Sequence, residues 1–151
     1  MCVATFTFEI QQKSDNTFKL SLSNNKGVYD ITVLNNLPIS ELNLSNTDVS
    51  DIKVLASMPL TKLDLSHTHT TDLSPLRNQA LKELNLWKTN IRILTALKNS
   101  PLKKLYLSGK WSDPKQLIKI TSLKTLFLSR FTYNQQVINK MKQHFSIVYL
   151  D

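Results

Sequence analysis

The sequence predicts an α/β solenoid. Its parts are a curved parallel β-sheet of about seven strands, a short 3₁₀ or irregular convex side, an N-terminal β-hairpin cap and a C-terminal helix. Three observations predict it. The frame L-x-x-L-x-L recurs at Ile39/Leu42/Leu44, Leu60/Leu63/Leu65, Leu81/Leu84/Leu86, Leu102/Leu105/Leu107 and Leu123/Leu126/Leu128. The step from Leu42 to Leu63, Leu84, Leu105 and Leu126 is 21 residues each time, and a fixed period of that length marks a stacked repeat. Between the strand frames the apolar pairs Ile31/Leu34, Ile52/Leu55, Leu73/Leu76 and Leu94/Leu97 are short, and Pro75 sits inside one of them. Such segments suit 3₁₀ turns better than full α-helices.

In chain order, residues 5–10 alternate Phe6, Phe8 and Ile10 with polar neighbours, the pattern of a half-buried strand. Ser14-Asp15-Asn16 is a turn cluster, and residues 18–23 return as the strand of repeat one, with Leu20 and Leu22 inward. An antiparallel hairpin here would cover the open end of the leucine core. Within each middle repeat the fourth and sixth positions point inward and the residues between them point out. The ninth position holds Asn25, Thr47, Thr68 and Thr89, which can bond buried backbone where the strand turns away. Asp113-Pro114 reads as a helix start, with Leu117 and Ile118 inward, and residues 134–143 read as a helix capped by Asn134 with Val137, Ile138 and Met141 on one face. Phe145, Val148 and Leu150 restate the strand frame. The whole is expected to be one domain, 1–151, with 1–17 as cap, 18–133 as repeats and 134–151 as terminal helix and last strand.

Composition narrows the function classes. The chain has 151 residues, 41% hydrophobic and 20% charged, enough for a packed core. Gly27 and Gly109 are the two glycines, so a glycine-rich phosphate loop is excluded. Cys2 is the single cysteine, so no internal disulfide forms and a reducing compartment is favoured. The first residues lack the basic and apolar regions of a signal peptide and no run reaches membrane-spanning length; the expected location is cytoplasmic, with a secreted effector as the alternative. The net charge of +8 is uneven: residues 1–79 carry six Lys/Arg and eight Asp/Glu, residues 80–151 thirteen and three. A basic half attracts an acidic partner, or solubilises the chain.

Stacked repeats align equivalent residues in columns. The third position reads Lys19, Glu41, Lys62, Glu83, Lys104, Thr125, Ile147, a charge ladder that can pair across strands. The fifth reads Ser21, Asn43, Asp64, Asn85, Tyr106, Phe127, Tyr149, changing from polar to aromatic at Tyr106. Trp87 stands at the seventh position, where other repeats have serine. Lys82, Lys103 and Lys124 stack at the second position, with Lys104 beside them. Aromatic anchors edged by cations are the make-up of a binding hot spot. His67 and His69 flank Thr68, with Asp48 one repeat away, and lack the further ligands of a closed zinc site. No nucleophile–base pair or carboxylate pair stands out, and no cofactor is expected.

The copies Leu42-Asn43-Leu44-Ser45-Asn46-Thr47-Asp48-Val49-Ser50-Asp51-Ile52 and Leu73-Ser74-Pro75-Leu76 resemble the short bacterial leucine-rich repeats of internalin-like type. The resemblance covers roughly residues 18–151 and departs at Lys110 and Phe131, which replace the Asn/Thr position. It implies a binding surface on the concave sheet, and similar wording occurs in bacterial proteins that carry serine/threonine kinase domains. The expected function is thus a non-enzymatic module that binds a protein, acidic at its rim, as a monomer or a weak dimer through the C-terminal strand edge. Two alternatives stand beside it: polyanion or nucleic-acid binding by the basic half, and a recruiting fragment of a larger enzyme such as a kinase.

Overall fold

The computed structural model describes residues 6–109, 114–130 and 133–150. Its strands are β1 (Glu9–Gln12), β2 (Phe18–Ser21), β3 (Ile39–Asn43), β4 (Lys62–Asp64), β5 (Glu83–Leu86), β6 (Lys104–Leu107), β7 (Thr125–Ser129) and β8 (Ser146–Leu150). They form one sheet in chain order, β1 antiparallel to β2 and all later neighbours parallel. The register follows the period: Leu42, Leu63, Leu84, Leu105 and Leu126 are successive partners. Each of these leucines is buried, as are Leu44, Leu65, Leu86, Leu107 and Leu128 at the sixth position. The convex side carries 3₁₀ turns at Thr32–Leu34, Lys53–Ser57, Ser74–Leu76 and Thr95–Leu97. The last two crossovers hold short helices, α1 (Lys115–Ile118) and α2 (Gln135–Lys142). Among the described residues no helix is long and apolar enough to cross a membrane.

Two side-chain devices and one backbone feature recur in the coils that follow β2–β5. Thr47, Thr68 and Thr89 donate their hydroxyls to the carbonyls of Leu44, Leu65 and Leu86 at 2.7, 2.6 and 2.8 Å. Asn25 makes the equivalent bond to Leu22 at 2.9 Å, and its amide also accepts the Thr7 N–H at 2.9 Å, tying the cap segment to repeat one. On the convex side Asp30, Asp51 and Asp72 accept the N–H of Thr32, Lys53 and Ser74, each opening a 3₁₀ turn, at 2.8, 2.9 and 2.8 Å. Two or three residues past the ends of β2–β6 the chain enters the left-handed region, with φ of 62, 57, 56, 54 and 77° at Asn24, Asn46, His67, Lys88 and Gly109. Asparagine and glycine tolerate that region and a β-branched residue does not.

The structure corrects the two ends. The cap strand is Glu9–Gln12 rather than 5–10, because the turn closed by Lys13 N–H to Thr17 O fixes Gln12 opposite Phe18. Phe6, Phe8 and Ile10 are not half-buried but 54, 60 and 59% exposed. Ile10 pairs with inward Leu20, yet as the outermost strand β1 has no further layer against it. At the other end β8 is shifted by one residue from the expected frame. Ile147 aligns with Leu126 and Tyr149 with Leu128, while Val148 aligns with Phe127. A one-residue shift exchanges the two faces of a strand, so Tyr149 and Ile147 leave the outward columns and Val148 and Ser146 enter them. Phe145 remains buried. In α1, Leu117 is buried as expected, but the inward partner is Ile120; Ile118 is half-buried. Asp113, Lys110 and Phe131 lie outside the described residues. In α2, Asn134 caps Val137 N–H at 3.0 Å, and Ile138 and Met141 are buried.

Two outcomes test this architecture. Leu84 is fully buried in the middle of the stack, so Leu84→Ala should cost about 2–5 kcal/mol, read from a denaturant melt; a loss below about 1 kcal/mol would contradict its core position. The second concerns acid. The pKa values of Asp30 and Asp51 are lowered chiefly by the backbone N–H of Thr32 and Lys53, and that of Asp72 chiefly by the Ser74 hydroxyl. A depressed carboxylate stabilises the fold above its unfolded pKa, near 3.9, and that stability is lost as pH falls through the lower folded value. The melting temperature should therefore drop below about pH 4, and the triple Asp30→Asn/Asp51→Asn/Asp72→Asn variant should drop less steeply. Equal slopes would show that these carboxylates do not carry the acid response.

Candidate protein-binding face

Parallel pairing lines up the third-position side chains Lys19, Glu41, Lys62, Glu83, Lys104 and Thr125 across the concave face, and Ser146 rather than Ile147 ends the column. Lys62 Nζ reaches Glu41 at 4.0 Å and Lys104 Nζ reaches Glu83 at 3.7 Å. Lys13, from the turn after β1, holds the other Glu41 oxygen at 3.1 Å. Partly exposed pairs of this kind contribute about 0–1 kcal/mol each. Three carboxylates, Glu41, Asp64 and Glu83, line an open groove of about 390 Å³ together with Tyr106.

The fifth-position column changes chemistry along its length. Asn43, Asp64 and Asn85 accept the N–H of Ser45, Ser66 and Trp87 at 2.9, 2.8 and 3.0 Å. Asn85 also donates to Asp64 at 2.9 Å. These side chains close the end of their own strand, as Asn and Asp do two residues before a turn. The polar half of the column is therefore committed to the fold. Asn or Asp recurring two residues ahead of the turn was the sequence signal for this role. At β6 and β7 the same positions hold Tyr106 and Phe127, which cannot make that bond. Their half-buried rings stack on each other, centroids 4.1 Å apart and planes 5° apart. The Tyr106 hydroxyl points back to Glu83 Oε1 at 3.5 Å. Burial, then the Glu83 charge, raises the Tyr106 pKa above that of an ordinary phenol.

The other expected site residues divide. Lys82, Lys103 and Lys124 are exposed and stand one residue ahead of β5, β6 and β7. Their backbones are laddered, Lys103 N–H to Lys82 O at 2.8 Å and Lys124 N–H to Lys103 O at 3.0 Å, so the three form a rim along one side of the sheet. Lys104 is on the face itself, paired with Glu83. Trp87 is half-buried just past the end of β5; among the described residues the ring pair on this face is Tyr106–Phe127, without Trp87. Tyr149 is turned to the opposite side of β8 and is not brought to the patch; Val148, 39% exposed, takes the rung after Phe127. His69 Nε2 lies 3.7 Å from Asp48 Oδ1, a carboxylate that also takes Lys26 and the Gly27 N–H. Among the described residues no three His, Cys, Asp or Glu side chains gather as metal ligands.

A sheet of stacked parallel strands with short convex turns and a leucine core defines a leucine-rich repeat solenoid. It is the fold of the internalins: a solved internalin (inlF) from Listeria monocytogenes strain 4b F2365 matches with a TM-score of 0.53 at 20% identity. The match covers 80% of this chain and 45% of the internalin, so the chain spans under half the length of that protein. No protein-family model and no curated protein matches the sequence.

The Tyr106–Glu83 contact is testable by ultraviolet titration of the wild type against Tyr106→Phe. Because folding raises this pKa, the neutral phenol is favoured; the linked stability is present below about pH 10 and is lost as pH rises through the folded value. Tyr106 should titrate later than an ordinary tyrosine. Glu83→Gln should bring it only partway back, since burial is the larger cause. An unchanged titration in Glu83→Gln would remove Glu83 from the account.

Proposed function

We propose that this chain is a non-enzymatic interaction module that holds a protein partner on the concave face around Tyr106 and Phe127. One observation carries the reading. Where three successive rungs use Asn43, Asp64 and Asn85 to close their own backbone, the next two place stacked aromatic rings outward instead. Rings gain nothing for the strand end, and aromatic anchors are what interface centres are made of. Lys82, Lys103 and Lys124 edge the patch and suit acidic groups at the partner's rim. Trp87 flanks it, and Lys104 enters it already bridged to Glu83.

Nucleic acid fits this face less well. The rings stack on each other, which leaves one outer face on each for a base, and Glu41, Asp64 and Glu83 line the approach and repel phosphates. Salt separates the two readings, since polyanion binding falls steeply with salt through counterion release. The single Cys2 favours work in a reducing compartment.

Affinity capture with wild-type bait, followed by titration of the captured protein, tests the proposal. Tyr106→Ala and Phe127→Ala should each weaken binding by about 2 kcal/mol or more with the fold intact. Lys103→Glu or Lys124→Glu should mainly slow association. Asn43→Ala should lower the melting temperature and leave affinity unchanged. Full affinity in both aromatic variants would place the partner elsewhere.

A further inference from the structure

We propose that one flank of the solenoid, where the chain passes from convex turn to strand, seats an acidic α-helix of a protein partner laid across the strands. Two columns of cations mark it. Arg77, Lys98 and Lys119 each stand directly after a convex turn or helix, and each is one period from the next. Lys82, Lys103 and Lys124 follow five residues later, just ahead of β5, β6 and β7. All six are exposed, and among the described residues none of them enters an ion pair. The segments 77–82, 98–103 and 119–124 hold no Asp, Glu or aromatic residue. Between the columns Ser100 donates to Leu81 O at 3.1 Å and Ser122 to Ser100 O at 2.6 Å, so the coils under the cations are fixed to one another.

The fold does not require these charges. The first column begins at Asn35, whose N–H closes its turn on Thr32 O at 3.0 Å as that of Arg77 does on Ser74 O at 3.1 Å, and Ala56 holds the place between them. The second column begins at Ser40 and Thr61, where the Thr61 hydroxyl serves the ladder by donating to Ser40 O at 3.0 Å. Like charges on neighbouring rungs are destabilising. The adjacent third-position column avoids them by alternating Lys62, Glu83 and Lys104. The second position instead stacks Lys82, Lys103 and Lys124 on the same run of coils. Repulsion accepted on three successive coils, in both columns, fits an anion supplied from outside.

Spacing selects the occupant. Rungs about 4.8 Å apart put the outer cations of a column about 9.6 Å from each other along the stack. On an α-helix, residues i, i+3 or i+4, and i+7 share a face and span about 10.5 Å. An extended segment shows every second residue on one face, and three of those span about 13 Å. An acidic helix therefore keeps pace with the coils, and an acidic strand overshoots them. Nucleic acid finds less support on this flank, since binders of single strands interleave cations with aromatic platforms for the bases. The inference rests on the proposed function in taking the partner to be a protein, but it makes no use of the Tyr106–Phe127 pair.

The probe is an alanine-based synthetic peptide, cross-linked into a helix, with glutamates at i, i+3, i+4 and i+7, titrated against the full chain. It should bind at least about tenfold more tightly than a peptide of the same composition whose glutamates are spread around the helix. Lys98→Glu/Lys119→Glu, in the column the concave face does not use, should weaken binding at least about tenfold, and Lys98→Gln/Lys119→Gln should act in the same direction with the melt unchanged. The charge-matched Lys26→Glu/Lys53→Glu, on earlier coils, should change it by no more than about twofold at physiological salt. A linear peptide with a central proline should not bind. The proposal fails if the one-faced and spread peptides bind equally, if the proline peptide binds as well as the helix, or if both Glu double variants weaken binding alike. Loss of peptide binding in Tyr106→Ala would move the helix to the concave face and overturn the flank site. A single-stranded oligonucleotide that outcompetes the helix and is lost in Lys98→Glu/Lys119→Glu would give the flank to nucleic acid instead. For a captured partner, sensitivity to Lys98→Glu/Lys119→Glu without response to Tyr106→Ala or Phe127→Ala would sink the concave-face reading and leave this one standing.

Discussion

The closure of each coil is the constraint on which the other features depend. A strand that leaves the sheet every 21 residues must turn its backbone inside a leucine core, where water cannot satisfy the freed N–H and C=O groups. An unmet buried polar group costs about 1–3 kcal/mol, a large share of any domain's stability. In the coils that follow β3 and β4 the chain meets this with three short side chains, each bonding backbone two or three residues away; after β3 these are Asn43 to Ser45, Thr47 to Leu44 and Asp51 to Lys53. Among the described residues no buried side-chain nitrogen or oxygen lacks a partner. Because closure is local, each coil can be the same length, and equal length is what stacks Leu42 on Leu63 on Leu84.

That economy explains why the concave face changes character. A fifth-position side chain can serve its own strand end or an outside partner, and Asn43, Asp64 and Asn85 serve the first. Tyr106 and Phe127 have given up the local bond. Their ring stack returns some packing energy, about 0.5–1.5 kcal/mol for a good aromatic pair, and leaves an apolar surface on a sheet otherwise faced with charge and amide. The Lys–Glu ladder stops in the same place: Lys104 is its last charged rung, followed by Thr125 and Ser146. Two independent columns therefore switch within one strand of each other.

Most of the fold was legible because a period is a many-fold repeated measurement. Leucine frames, ninth-position hydroxyls and Asn134 as a cap all landed where the spacing put them. The misreadings fell where residue type was allowed to outvote spacing. Ile147 and Tyr149 stand one period after Leu126 and Leu128, yet tyrosine is an unusual inward residue, and Phe145, Val148 and Leu150 imitate the leucine frame. At the cap, alternation of Phe6, Phe8 and Ile10 suggested a strand, but the turn at 13–17 decides which residues face β2. Counting outward from that turn gives Glu9–Gln12. The stacked ring pair was partly legible, as a column; that its polar neighbours were already engaged with their own backbone was not read from the column, because the N–H each one takes lies two residues on in its own strand rather than across the sheet.

The first coil and the last described coil cover their cores differently. At the start, β1 runs antiparallel and presents Glu9, Gln11 and Gln12 with Ile10, a mostly polar edge. Repeat one also departs from the threonine pattern: Asn25 has both a donor and an acceptor, so it satisfies Leu22 and still grips Thr7 of the cap segment. A threonine has one hydroxyl donor, already given to the carbonyl three residues back, whereas the Asn25 amide donates to Thr7 O as well as to Leu22 O and also accepts the Thr7 N–H. At the finish, α2 buries Ile138 and Met141 and so seals the convex half of the last coil. It lies on the same side of the sheet as the leucine core and packs against β8. The same leucine core is thus covered by a hairpin beside the first coil and by a helix over the convex half of the last described one, two different solutions to burying one repeated apolar column.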